Sequence, residues 1–333
     1  MKVLISGYYG FGNLGDEALL AGLLAGLHDR GHHPIVLSGN PALTSVMHRV
    51  RATHRLSGAL PTLLECDALI SGGGGLLQDA TSTRSLRYYL TLIRAARAFR
   101  KRVVVFGQSL GPLSPNGWQR VTRALGPVAV AVRDSHSQRQ LAEHGITAEL
   151  VADTALLLYK IPVDRPHRQT TGPTLLIPRS GFPDITAALA DVARALTTEN
   201  ITVAVLPLHP EQDEQDAETI ARAAGGADIL MASTPHEALG YIATSRYVIS
   251  ARLHGLILAA AAFRNFCGLI YDPKVAAFLH EADAPAFSPP IDSQALITTA
   301  LERPDVPRRA LEALKSRAAT GLDWLDRVLR QEA

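Results

Sequence analysis

Cysteine is nearly absent: Cys66 and Cys267 lie far apart in 333 residues, without CxxC or His-rich spacing. That excludes a disulfide framework and a structural zinc site, and it favours a reducing, cytoplasmic setting. Neither sign of charge is in excess, since 33 Lys and Arg stand against 31 Asp and Glu for a formal net charge of +2. With no bulk positive field, nucleic acid is not an expected partner, and any anion site must be local. Apolar runs approaching the roughly 20 residues needed to span a bilayer are also missing. Met1 leads straight into strand residues with no charged leader or cleavage site, so neither an integral nor a secreted protein is expected. Peripheral contact between exposed Arg or Lys and anionic lipid at the inner face of the membrane stays open.

What is present is a globular composition, 47% hydrophobic and 19% charged, at a length that suits two domains. Apolar β-rich runs recur at Val3–Ser6, Pro34–Leu37, Ala68–Ser71, Val103–Phe106 and Val128–Val132, separated by helical stretches such as Ser85–Arg100 and Ser135–Glu143. Strands buried on both faces and alternating with helices imply a parallel sheet covered by helices. After a proline-rich stretch the alternation restarts, with strands at Thr174–Pro178, Thr202–Leu206, Tyr247–Ser250 and Phe266–Ile270. Helices are read at Ile185–Thr198, Glu211–Ala224 and Leu256–Ala261. The expected architecture is therefore α/β: a Rossmann-like domain over 1–160, a linker near 160–172, a second Rossmann-like domain over 173–303, and a closing segment 304–333. Leu311, Leu314, Ala318, Leu322, Leu325 and Leu329 give that last segment the apolar stripe of an amphipathic helix. Two such sheets facing one another would line a shared cleft with their carboxyl strand ends.

Each motif that could carry chemistry falls just after a predicted strand. The first is Gly7-Tyr-Tyr-Gly10-Phe-Gly12-Asn13-Leu-Gly15-Asp16-Glu17. Its glycines admit conformations closed to other residues and let amides approach a ligand at the helix start. Gly10, Gly12 and Gly15 match a dinucleotide fingerprint, but Asp16 and Glu17 follow at once and would repel a pyrophosphate. A tight turn with acids favouring the helix dipole is the plain alternative. Ser71 to Asp79 adds a glycine run holding Gly73 and Gly74, followed by Gln78 and Asp79 as hydrogen-bonding groups; it reads as a sugar or phosphate loop or as a turn. Gly107 to Pro112 is a weaker transition of the same type. Arg133 ends a strand beside Asp134, and reads equally as a ligand cation or as half of an ion pair. Arg179 ends the first strand of the second unit.

The sharpest fragment is Ser250-Ala-Arg252-Leu-His254-Gly255, where a strand gives way to a small-residue helix. Arginine offers a planar fork for carboxylate or phosphate, and histidine changes its proton near neutral pH. Tyr271-Asp272-Pro273-Lys274 ends another strand with a further cation. His209 reads evenly as binding or structural; His32 and His33 are expected at the solvated surface. No Asp/His metal cluster is visible, so no metal is expected.

Taken together, GYYGFGNLGDEA, SGGGGLLQD, VRDS, Arg179, S-x-RLHG-x-I-x-A and YDPK resemble, in order over Lys2 to Lys274, the polysaccharide pyruvyl transferase family, above all the bacterial cell-wall branch serving S-layer anchoring polymers. The resemblance implies a glycosyltransferase-B-like fold, phosphoenolpyruvate as donor with no other cofactor, and as acceptor a hexosamine, N-acetylmannosamine foremost, on a lipid-linked precursor. It implies a donor site on Arg133, Arg252, His254 and Lys274, with Arg179 less closely matched because Ser180 and Gly181 precede Phe182 and Pro183. His254 is the implied acid and Asp16 a candidate base. The acceptor side would use Gly10, Asn13, Asp16, Glu17, Gly73, Gly74, Gln78 and Asp79. Two rival readings fit the same motifs: a glycosyltransferase using a nucleotide sugar, and a non-catalytic carbohydrate-binding protein.

Overall fold

The computed structural model describes residues 1–80, 82–159 and 171–330, so most of the expected linker lies outside the described residues. Contacts divide the chain into two units: Met1–Phe11, Leu19–Thr154 and Ser316–Ala333 in the first, Gly12–Ala18 and Ala155–Lys315 in the second. Two segments thus depart from the boundaries read from sequence. Residues 12–18 group with the second unit, and the end of the closing helix groups with the first.

In the first unit the order is β1 (Lys2–Ser6), α1 (Leu14–Asp29), β2 (His33–Ser38), α2 (Pro41–His48), β3 (Arg51–His54), α3 (Ala59–Glu65), β4 (Ala68–Ser71) and β5 (Gly74–Leu77). Then follow α4 (Thr83–Ala98), β6 (Arg102–Leu110), α5 (Pro115–Leu125), β7 (Ala129–Val132), α6 (Ser135–Glu143) and β8 (Glu149–Leu150). All strands run parallel in the order β3-β2-β1-β4-β6-β7-β8, with β5 beside β6. Val3, Leu4 and Ile5 are wholly buried, as a central strand covered on both faces requires. The chain moves outward from β1 through β2 to β3, then returns to the other side of β1 with β4. The topological switch point therefore lies between β1 and β4, where the glycine motifs begin.

The second unit comprises β9 (Thr174–Ile177), α7 (Pro183–Thr198), β10 (Val203–Val205), α8 (Pro210–Ala223), β11 (Asp228–Ile229), α9 (Pro235–Thr244), β12 (Tyr247–Ser250) and α10 (Leu253–Ala261). β13 (Phe266–Leu269), α11 (Pro273–Ala282), β14 (Ala286–Phe287), α12 (Ser293–Glu302) and α13 (Arg308–Arg330) complete the chain. Its sheet is parallel in the order β11-β10-β9-β12-β13-β14, so its switch point lies between β9 and β12. Arg179 leaves one of those strands, and Arg252 with His254 the other.

The stripe on α13 is buried as its spacing predicts, from Leu311 at 2% to Leu329 at 0% exposure. Within the first unit Trp324 stacks on Phe106 at 6.4 Å, and Asp326 meets His32 at 2.7 Å. His32 is thus a correction: it is buried, not solvated, and burial lowers its pKa. His33 is exposed, as expected. Both cysteines are buried free thiols, and burial pushes Cys267 up to about 12. Among the described residues no helix is long and apolar enough to cross a membrane.

Candidate active site

In the second unit, β12 delivers Arg252 and His254 to the start of α10. Arg252 is the N-cap residue and makes no side-chain cap, so its guanidinium is free to turn elsewhere. It turns to Asp213 on α8, Nε and Nη2 donating to the two carboxylate oxygens at 2.5 and 2.6 Å. Asp213 is fully buried and also accepts from the Ser180 and His209 backbone amides and from Ser180 Oγ. Such a fully bonded buried pair costs far more to break than to keep. Arg252 consequently enters the site as a neutralised, fixed group. Asp213 went unnoticed in the sequence, although it shares a helical face with the buried Ala217, Ile220 and Ala221. An acid on an apolar stripe is the signal for a buried cation partner.

His254 is half-buried in the first turn of α10. Gly15 lies against it: a Cβ at that position would overlap the imidazole at Nδ1, Cγ and Cβ. The Leu14 amide donates to the Leu208 carbonyl at 2.9 Å, seating the same turn. The first glycine motif therefore has a physical reason inside the second unit, namely that only glycine lets the start of α1 close on His254. Asn13 organises this turn, accepting from the Gly15 amide at 3.1 Å and donating to Asp16 at 2.5 Å. Asp16 and Glu17 are both buried.

Three adjacent strands of this sheet, β10, β9 and β12, lead into helices whose N-cap residues, His209, Phe182 and Arg252, offer no side-chain cap. Helix N-termini with unclaimed amides favour anions. Acidic residues stand in the first turns of α7 and α8 but not of α10. Of the three helix starts, α10 is thus the one with no acidic residue in its first turn, and His254 stands in that turn. His209 is 4% exposed, and neither of its ring nitrogens has a hydrogen-bond partner among the described residues. Burial and the nearby Arg252 cation lower its pKa, which keeps it neutral.

Lys274 stands in the first turn of α11, its ammonium 3.1 Å from Asp272; both side chains are partly exposed. This pair is cheap to open. Asp272 also caps α11 through the Lys274 amide at 3.0 Å. Arg179 lies over the Tyr271 ring at 5.6 Å and donates to Gln212 Oε1 at 3.4 Å. Tyr271 itself packs on Phe182 at 4.9 Å, so an aromatic pair supports this arginine.

Arg133 belongs to the first unit. Its guanidinium pairs with Asp153 at 2.5 Å and donates through Nε to Ser109 Oγ at 2.7 Å. Asp134 is not its partner but the cap of α6, accepting from the Ser137 amide at 2.7 Å.

Of the residues expected to face an acceptor, Gly10 has a φ of 77° and its missing Cβ leaves room for Ser38 Oγ. Gly73 and Gly74 are buried. Gly74 opens β5, pairing with Gln108 of β6, while a Cβ on Gly73 would strike Leu19 and the Gly107 carbonyl. The glycine run is thus a packed strand start rather than an open loop. Asp79 fastens α5, accepting from the Ser114 amide at 2.8 Å and from its hydroxyl at 2.5 Å. Those hydrogen bonds hold its carboxyl below the ordinary range. Gln78 follows β5 and is partly exposed.

An aromatic group that the sequence reading passed over stands after β1. Tyr8 stacks on Phe11 at 4.5 Å, and Arg55 lies 5.4 Å from the Phe11 ring centre and 4.5 Å from that of Tyr88. Tyr8 and Phe11 are partly exposed, which is the form of a platform for the apolar face of a sugar. Among the described residues no group of three His, Cys, Asp or Glu side chains is placed to hold a metal ion.

Comparison with known proteins gives the same fold. The UDP-GlcNAc 2-epimerase of Neisseria meningitidis superposes with a TM-score of 0.61 at 12% identity, each chain covered in full at 100%. A putative UDP-N-acetylglucosamine 2-epimerase of Listeria monocytogenes gives 0.65 at 11% identity, covering 99% of this chain and 96% of the other. Anabaena Alr3699/HepE, solved in complex with UDP-glucose, gives 0.58 at 14% identity over 99% and 98%. The fold is therefore α/β of the glycosyltransferase-B type. No curated protein sequence matches the chain. The profile of the family described as polysaccharide pyruvyl transferase matches residues 13–273, from the turn that meets His254 to the residue before Lys274, and the chain belongs to that family.

Proposed function

We propose that the protein transfers the pyruvyl group of phosphoenolpyruvate to a hexosamine, N-acetylmannosamine foremost, of a lipid-linked cell-wall saccharide, forming a 4,6-ketal and releasing phosphate. The observation that carries this reading is the start of α10: an uncapped helix N-terminus without acidic residues, flanked by Arg252 and His254. Phosphoenolpyruvate brings a carboxylate and a phosphate on one carbon, and such an anion matches a helix start that carries a proton-exchanging histidine and an arginine fixed by its own acid. Lys274, paired with the partly exposed Asp272, can exchange it for a ligand oxygen at little cost. Arg133 and Arg252, each already matched to a buried acid, suit fixed orientation better than charge neutralisation. No metal and no further cofactor enters the scheme.

In this reading His254 donates a proton to the methylene carbon of the enol, which becomes a methyl group, while one sugar hydroxyl adds to the adjacent carbon and, once bonded, returns its own proton to the His254 imidazole. The carbon–oxygen bond to phosphate then breaks, the phosphate leaving with the electron pair. The second hydroxyl attacks the same carbon and gives up its proton to a base, for which Asp16 is the candidate. Tyr8 and Phe11 suit the neutral sugar, with Gly10, Asn13, Glu17, Gly73, Gly74, Gln78 and Asp79 belonging to the acceptor side as supporting backbone and fasteners.

A nucleotide-sugar glycosyltransferase is the second reading, since a diphosphate also suits a helix N-terminus and the structural neighbours include UDP-sugar proteins. Incubation of the protein with phosphoenolpyruvate and a panel of aryl or lipid-linked hexosamines separates the two. The expected result is a product heavier by one pyruvyl ketal together with free phosphate. Release of a nucleoside diphosphate from a UDP-sugar, with phosphoenolpyruvate inert, contradicts it.

A further inference from the structure

Between Asp79 and Asp134 the sequence contains no acidic residue, while arginine and lysine recur throughout. For a chain with a net charge of only +2 this is a strong segregation, and the fold concentrates it. Helices α4 and α5 pack against the first unit's core through Leu86, Ile93, Val121 and Leu125. Their outer faces together line a cavity of about 380 Å³ bordered by Arg87, Leu90, Thr91, Arg94, Arg120 and Arg123. Arg87, Thr91 and Arg94 fall at helical spacing on one face of α4. Arg87, Arg94 and Arg123 are exposed, and none of the four arginines forms an ion pair among the described residues. Arg120 acts on the nearby Asp79 carboxylate, while the other three guanidinium groups around the cavity, unpaired among the described residues, repel one another, so the arrangement favours an anionic occupant.

Arg123 also borders a second cavity of about 630 Å³, lined chiefly by Leu113, Pro115, Trp118 and the His144 ring. Trp118 stacks on His144 at 3.8 Å, which fixes the indole in the lining of this apolar groove. Arginines bordering an amphipathic aromatic groove match a lipid–water interface, where cations meet headgroup phosphates and indole sits at headgroup depth. A nucleic-acid strand would engage the arginines and the Trp118 face but leave the aliphatic Leu113 and Pro115 lining without a role.

We propose that the α4–α5 face docks the protein on a bilayer containing anionic phospholipid. The inference rests on these two cavities and is independent of the pyruvyl-transfer reading; if that reading also holds, docking brings the enzyme to a lipid-linked acceptor. The test is co-sedimentation of the full chain with vesicles of phosphatidylglycerol and phosphatidylcholine, against vesicles of phosphatidylcholine alone. Binding is expected to the first and not the second, and to fall as salt is raised. Each Arg→Gln change at 87, 94, 120 or 123 is expected to weaken partitioning roughly fivefold, and the four together at least about a hundredfold. The four corresponding Arg→Lys changes are expected to retain most of the binding, and circular dichroism confirms that the exposed substitutions leave the fold intact. Turnover of a soluble acceptor is expected to be unchanged in the quadruple glutamine variant. Equal binding to neutral vesicles, undiminished binding by that variant, or tighter binding of an RNA or DNA oligonucleotide than of anionic vesicles at the same salt would overturn the proposal. Failure of pyruvyl transfer with vesicle binding intact would instead remove the functional reading and leave the docking face standing.

Discussion

The two units follow one plan, a parallel sheet with helices rising from its strand ends, yet they treat those helix starts differently. In the first unit Asn40, Ser82, Ser114 and Asp134 each cap a helix through the side chain, and the short α3 at Gly58 goes without one. In the second, the three helices that follow the central strands begin at Phe182, His209 and Arg252 without one. The peripheral helices α9, α11 and α12 are capped by Thr234, Asp272 and Asp292. A cap contributes about 1 kcal/mol, so three omissions side by side are a stability cost retained at one place. Departures of this kind from local optimality mark functional positions. The first unit's corresponding edge carries aromatic rings and acids tied to hydroxyls; the second carries histidine, lysine and arginine. One edge suits a neutral sugar, the other a small anion.

The comparison is broken most severely by His254→Ala. Turnover is expected to fall by at least about a hundredfold while the protein stays folded, with a stability loss of about 1–2 kcal/mol because the Gly15 turn loses the ring it packs on. Near-normal activity would remove His254 from the chemistry. Asp213→Asn is expected to cost about 3–5 kcal/mol in denaturant unfolding by stranding the Arg252 cation in the interior. Gly15→Ala forces a methyl group onto the imidazole; a loss of roughly 1–3 kcal/mol and a fall in kcat of up to about a hundredfold are expected, with acceptor KM less affected. Phe11→Ala is expected to do the converse, raising acceptor KM by about threefold to tenfold while kcat holds, since it removes only a stacking surface. The smallest effect belongs to Ser82→Ala: loss of the cap on α4 should lower stability by about 1 kcal/mol and leave both kinetic constants alone.

Much of this was legible in the sequence, and the parts that were not share a cause. Strands buried on both faces announce themselves as apolar runs, and Ala68–Ser71 and Tyr247–Ser250 coincide with β4 and β12 to the residue. β3, by contrast, is Arg-Ala-Thr-His at the sheet edge, half exposed, with no apolar signature to read. β5 begins in a glycine run whose pairing with β6 is carried by backbone alone. The strand-end motifs were visible because their residue types are unusual for turns. Their partners were not, because Asp153, Asp213 and Asp326 are chosen by the tertiary fold and lie 20, 39 and 294 positions from the groups they hold. Asp213 alone left a trace, as an acid on the apolar stripe of α8.

Calorimetric titration of phosphoenolpyruvate into the protein without acceptor tests the central claim, that the start of α10 with His254 and Lys274 is built for this dianion, most directly. Saturable binding is expected in the unaltered protein and much weaker binding in both His254→Ala and Lys274→Ala, while UDP gives no comparable heat. Phosphoenolpyruvate binding that neither substitution weakens, or tight UDP binding in its place, would contradict it.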